Sequence, residues 1–167
     1  MVKGIALMTI GSLCNREVVV TGTDTTVAQA AKLMREFHVG DLVVLEEGDE
    51  RKPVAVVTDR DIVVAVVALD VDPNRVMVTD VAREPLEAVT EDTDLLDAVA
   101  RMRQRGVRRL PVVDDEGSLL GIFTLDDALG VVGEVVDNLV ALVAREIERE
   151  PMYRPETPLA ATGPSES

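Results

Sequence analysis

Val54-Ala55-Val56-Val57-Thr58-Asp59-Arg60-Asp61 returns later in the chain as Leu120-Gly121-Ile122-Phe123-Thr124-Leu125-Asp126-Asp127. Each copy is a short apolar run, suited to a buried strand, that ends in Thr-x-x-Asp where the pattern turns helical. At a helix start, a hydroxyl and a carboxylate three residues apart can cap the free N–H groups. The same groups can hold a ligand lying across the helix end. The carboxylate suits a pair of ribose hydroxyls, while the threonine hydroxyl and backbone N–H groups suit phosphate. One such motif reads as a cap; its repetition gives the ligand reading weight.

The repeat extends well upstream. Thr124 follows Thr58 by 66 residues, whereas Val27-Ala28-Gln29-Ala30-Ala31-Lys32-Leu33-Met34 faces Leu95-Leu96-Asp97-Ala98-Val99-Ala100-Arg101-Met102, and Leu42-Val43-Val44 faces Leu110-Pro111-Val112, at 68. The two-residue slip falls between Glu46 and Pro53, where Gly48, Asp49, Glu50, Arg51 and Lys52 read as a hairpin loop. Each unit reads as strand, helix, strand, hairpin, strand, helix. Neither has enough apolar side chains to enclose a core alone.

This β-α-β-β-α unit contains Gly106-Val107-Arg108-Arg109-Leu110-Pro111-Val112-Val113-Asp114 and closes in Thr-x-x-Asp. It resembles the cystathionine-β-synthase (CBS) domain family, and the tandem resembles a Bateman module. The resemblance covers roughly residues 8 to 132. It implies an α/β (α+β) fold of two repeats related by pseudo-twofold symmetry, followed here by a C-terminal helix. The divisions expected are repeat 1 with its lead-in at 1–75, repeat 2 at 76–132, the helix at 133–150 and a tail at 151–167. The repeats differ at Ala55 against Gly121, and at Gly40-Asp41 against Arg108-Arg109, so two ligand sites would not be equivalent.

Composition narrows the alternatives. With 47% apolar but only 2% aromatic residues, the core must be made of Val, Leu, Ile, Ala and Met. A formal net charge of −14 disfavours general attraction to nucleic acid or anionic membrane. A single small anion needs only two or three placed arginines and stays open. No apolar stretch is long enough to span a bilayer, and the first residues lack a convincing signal-peptide cleavage site. A cytoplasmic location is therefore expected by default, and a single cysteine, unable to form an internal disulfide, is compatible with it.

In chain order, residues 17–20 read as a strand entering repeat 1. Thr25 or Thr26 is placed to cap a helix over 27–37, whose apolar residues fall at i, i+3, i+4 and i+7. His38 reads as a helix-end residue, because a lone histidine cannot build a multi-histidine metal site. Strands at 42–45 and 54–57 precede an almost wholly apolar helix over 62–69, either an interior element or a dimer face. Residues 77–82 suggest a helical turn, 86–89 a strand, and Asp92 or Thr93 the cap of a helix over 94–105. Strands at 110–113 and 119–123 complete repeat 2. Beyond it, Val132, Val136, Leu139 and Val143 form a narrow helical stripe. The Pro-, Ser-, Thr- and Gly-rich residues 151–167 read as disordered.

The resemblance implies that Asp61 and Asp127 hold the ribose of an adenine nucleotide, with Thr58 and Thr124 beside them. It also places Arg60 and Arg108 on phosphate, which suits arginine's paired donors; surface ion pairs are the plainer alternative. Cys14 aligns with Ala82 at a position that the family sets near the base, although an inert, partly buried thiol is the plainer reading of Cys14.

The sequence carries no Gly-x-Ser-x-Gly elbow, P-loop or dinucleotide fingerprint, so an enzyme is not expected. The remote exception is a Mg²⁺-dependent phosphate-cleaving site built on Asp59, Asp61, Asp126 and Asp127. The expected function is a non-catalytic regulatory or signal-transduction module. It would bind AMP, ADP, ATP, NAD or another adenosine ligand between the repeats, with no obligatory cofactor and no metal. The alternative is a structural dimerisation module with dead sites. Expected partners are a second copy of the chain and an unidentified protein.

Overall fold

The computed structural model describes residues 8–82 and 86–149. In order they form α1 (Ile10–Leu13), β1 (Val20–Gly22), α2 (Val27–Phe37), β2 (Asp41–Glu46), β3 (Asp49–Thr58), α3 (Asp59–Ala65) and a 3-10 turn at Val67–Leu69. Then come α4 (Val78–Val81), β4 (Val89–Thr90), α5 (Leu95–Arg105), β5 (Arg109–Val113), β6 (Leu119–Thr124) and α6 (Leu125–Arg149). The order β-α-β-β-α therefore occurs twice. One compact unit ends at Ala128, and a second begins at Leu129 within α6. None of the described helices is long and apolar enough to cross a membrane.

The helices start where local chemistry directs. Thr26 caps α2 in a reciprocal box with Gln29, and Val27, Ala30 and Met34 turn one face into the core. His38 ends the helix in the left-handed region, φ 55°, donating its N–H to Met34. The cap of α5 is Asp94, which accepts from Leu96 N at 2.8 Å, rather than Asp92 or Thr93. The Thr93 hydroxyl is instead engaged with that of Thr90 at 3.2 Å.

Each half holds a three-stranded sheet, ordered β1-β2-β3 and β4-β5-β6, with a parallel first pair and an antiparallel second pair. The two-residue slip is visible in the register. Val44 faces Ala55, Leu45 faces Pro53, and Glu46 faces Asp49, so β3 bulges around residues 50–52. The turn itself is only Glu47-Gly48, with Gly48 at φ 84°.

The apolar run 62–69 is not one helix. Ile62 and Val66, four residues apart, point into the core, whereas Val63, Val64, Val67 and Leu69 are exposed. α3 ends at Ala65, and the chain continues as the 3-10 turn. Consecutive β-branched residues favour an early end, because each loses χ1 freedom against the preceding turn. At the corresponding place in repeat 2, α6 continues unbroken through Gly130 and Gly133 to Arg149. The expected tail, 151–167, lies outside the described residues.

The short segments before each repeat are exchanged. Ile10, fully buried, packs with Val89, Ala98, Met102, Leu110 and Phe123 of repeat 2. Val78 and Val81 pack with Val27, Leu42, Val57 and Ile62 of repeat 1. Backbone hydrogen bonds fix both segments: Ile10 N to Thr93 O and Val27 N to Val76 O, each 2.9 Å. Asn15 and Ile122 exchange a pair at 2.9 and 2.8 Å. A third cluster, around Val43, Leu45 and Ile122, joins the two sheets. Having paired with β6 at Asn15, the chain turns through an Asn15 side-chain bond to Glu17 N before reaching its own sheet. Strand β1 accordingly starts at Val20, later than the 17–20 stretch suggested; β4 likewise occupies only Val89–Thr90 of the 86–89 region.

Gly121 is the point of closest approach. A Cβ there would lie 2.7 Å from Asn15 O and 2.8 Å from Cys14 Sγ. Backbone on one side cannot yield without breaking the paired bonds, so Gly121→Ala should destabilise the fold by about 1–3 kcal/mol. Urea unfolding monitored by circular dichroism checks this; an unchanged midpoint would mean that the lead-in is not held against β6.

Candidate functional site

At the end of β3, Thr58 is extended and caps α3. Its N–H and its hydroxyl both donate to Asp61 Oδ2, at 3.0 and 2.6 Å, and Asp61 N returns a bond to Thr58 Oγ1 at 3.2 Å. Repeat 2 reproduces this: Thr124 N and Oγ1 reach Asp127 Oδ2 at 2.8 and 2.7 Å, with Asp127 N to Thr124 Oγ1 at 3.2 Å. A carboxylate only accepts, so each threonine proton is committed to its aspartate and is not a free donor to phosphate. The cap occupies Oδ2 alone. In both aspartates, Oδ1 has no hydrogen-bond partner among the described residues, and both side chains remain partly accessible.

The exchanged segments decide what else stands near these turns. α1 contacts β6, and α4 contacts β3 and α3. Cys14 therefore lies on repeat 2, against Gly121 and within electrostatic reach of Asp127. Burial pushes its thiol above the usual value, Arg16 partly offsets this, and Asp127 and Glu91 push it further up. Such a thiol is a poor nucleophile. Ala82 is half-buried against repeat 1, in the cluster that contains Ala55. Each turn thus has beside it one small residue from a lead-in and one from a strand: Cys14 with Gly121, and Ala82 with Ala55.

Arg60 and Arg108 are exposed, and neither makes an ion pair among the described residues. The carbonyls of Arg108 and of its counterpart Gly40 help to shape the turns. Leu125 N donates to Arg108 O at 2.8 Å, and Asp59 N to Gly40 O at 3.0 Å in the equivalent place. An apolar groove lined by Val27, Ala31, Ile62, Val66 and Pro73 includes neither Thr-x-x-Asp motif.

The sequence reading overlooked the pair next door. Asp41 is the ladder partner of Thr58, and Arg109 that of Thr124. The two side chains form an ion pair across the repeats, and Arg109 Nη1 is sealed from solvent without a well-directed hydrogen bond. Burial raises the Asp41 carboxyl above the ordinary carboxylate range; Arg109 opposes this and Asp59 adds to it. A signal was present. Asp41 and Arg109 are 68 residues apart, hence equivalent positions of the two repeats carrying opposite charges.

Comparison with known proteins agrees with this architecture. The CBS domain family model matches residues 10–68 and 78–134. An uncharacterized protein of Methanopyrus kandleri is 35% identical over 142 residues, 85% of this chain and 69% of that one. Hypoxic response protein 1 of Mycobacterium tuberculosis is 32% identical over 121 residues, 72% of this chain and 82% of its own. A CBS domain protein from Pyrobaculum aerophilum, solved in complex with AMP, is similar at 27% identity with a TM-score of 0.67, over 72% of this chain and 89% of that one. With two family matches falling on two β-α-β-β-α units, the chain belongs to the CBS domain family and is a tandem pair of such domains.

Proposed function

We propose that this protein is a non-catalytic regulatory module that binds an adenosine-containing ligand, AMP, ADP, ATP or NAD, where each exchanged lead-in meets the Thr-x-x-Asp turn of the other repeat. The observation that carries this reading is the half-used carboxylate. Capping consumes Oδ2 of Asp61 and Asp127 and leaves Oδ1 to accept from a ribose hydroxyl. The AMP complex of the Pyrobaculum relative supports the ligand class. Arg60 and Arg108 are the proposed phosphate contacts, and Cys14 and Ala82 are small residues beside which a flat base can lie. Among the described residues, no three His, Cys, Asp or Glu side chains gather where they could hold a metal ion.

A ligand contacting both repeats changes their arrangement only so far as it binds one arrangement better. The output then passes to a partner protein or through self-association. A homodimer is favoured by one feature: Val63, Val64, Val67 and Leu69 are exposed together, with Leu69 at 67%. Apolar side chains gathered in this way suit burial against a second copy. The same surface would serve a purely structural dimer with dead sites.

Two experiments separate these readings. Asparagine at position 61 or 127 can keep the cap through its carbonyl but presents an NH₂ group where ribose would donate. Asp61→Asn with Asp127→Asn should therefore fold normally and lose about 1.5–3 kcal/mol of AMP binding by calorimetry. Unchanged affinity would reduce the aspartates to caps. Val63→Glu should give a folded monomer from a wild-type dimer by light scattering; a monomeric wild type would remove the dimer from the account.

A further inference from the structure

Beside the turns proposed to hold the ligand stands a charge of the wrong sign for a phosphate site. Asp41 and Arg109 each stand directly across a strand pair from a site threonine, Thr58 and Thr124. Directly paired residues project to the same face, with Cβ atoms about 5 Å apart. Both side chains therefore extend over the faces that carry the Thr-x-x-Asp turns, and there they meet. Arg109 is among the most enclosed cationic side chains at these turns, about a quarter exposed, while Arg60 and Arg108 are open to solvent. Arg109 thus stands beside Thr124, whose hydroxyl donates to Asp127, and its side chain meets that of the ladder partner of Thr58.

We propose that Asp41 is a built-in competitor for that guanidinium. It acts as a specificity determinant, so that a ligand's phosphate binds Arg109 only by displacing the carboxylate, opening the ion pair between the repeats as it does so. This rests on the adenosine reading of the clefts and deepens it. Three observations fit. Asp41 is largely buried, and desolvation, the largest influence on it, raises its carboxyl against the opposing pull of Arg109, so its charged form is disfavoured there. Asp59 adds a second negative group: a Cβ on Gly40 would lie 3.5 Å from its Oδ2. Arg109 Nη1 is sealed from solvent against Asp41, so an oxyanion that reached it would replace a protein partner rather than water. Exchange of partners also couples binding to shape, because the bond lost spans the two repeats.

The test compares wild type with Asp41→Asn by calorimetry, using adenosine, AMP and inorganic pyrophosphate. Asp41→Asn should leave adenosine affinity within about twofold and tighten AMP and pyrophosphate at least about tenfold. Adding Arg109→Gln should abolish that gain. Circular dichroism establishes that each variant is folded, and Asp41→Ser replaces Asp41→Asn if the amide destabilises. Pyrophosphate carries no adenosine, so its arm decides this inference even if adenosine and AMP bind neither protein, a result that would instead overturn the proposed function. Equal or weaker pyrophosphate binding in the folded Asp41 variants would overturn the inference.

Discussion

The paired hydrogen bonds between Asn15 and Ile122, at 2.9 and 2.8 Å, hold the segment before repeat 1 against the last strand of repeat 2. Without that attachment Ile10 would have no core to enter, and repeat 2 would lose a fully buried side chain from among Val89, Leu110 and Phe123. Leaving such a cavity typically destabilises a domain by about 2–5 kcal/mol, a large share of the stability of a domain this small. Val78 and Val81 do the same for repeat 1. Two units too small to enclose a core each thus become one structure by lending each other a helical turn. The exchange also assembles the candidate clefts, because it carries Cys14 to the neighbourhood of Asp127 and Ala82 to the cluster around Ala55.

How much of this could be read from the sequence depended on whether the cause was local. The helix Val27–Phe37 is set by Thr26, Gln29 and the three-and-four spacing of its buried residues, all within a dozen positions. The Thr-x-x-Asp turns are equally local, and their hydrogen bonds are those of a cap that uses Oδ2 and gives Oδ1 no partner among the described residues. The first strand of each sheet began later than its apolar run suggested. In repeat 1, the start is set by a distant partner: the chain must leave β6 before it can join β2. Residues 62–69 went wrong for a mixed reason, since β-branching shortened the helix and burial selected only Ile62 and Val66.

The Asp41–Arg109 pair shows what pseudo-symmetry demands of a duplicated chain. Equivalent positions that touch each other must lie near the axis relating the repeats. Identical charged residues there would repel in a partly buried setting. One acidic and one basic residue solve that problem, and they make the surroundings of the two turns different in charge. A second difference lies beside the turns, where repeat 2 combines Gly121 with the larger Cys14 and repeat 1 combines Ala55 with Ala82. The two turns share a fold and a cap but not the charge or the size of the residues beside them.

The central claim is that a ligand seats between an exchanged lead-in and the Thr-x-x-Asp turn of the other repeat. Amide NMR of the full chain titrated with AMP tests it most directly. The account predicts that resonances of Cys14 and Asn15 shift together with those of Thr124 and Asp127, or those of Ala82 together with Thr58 and Asp61, along one binding curve. Shifts confined to surfaces away from both turns, or no saturable shifts at all, would contradict it.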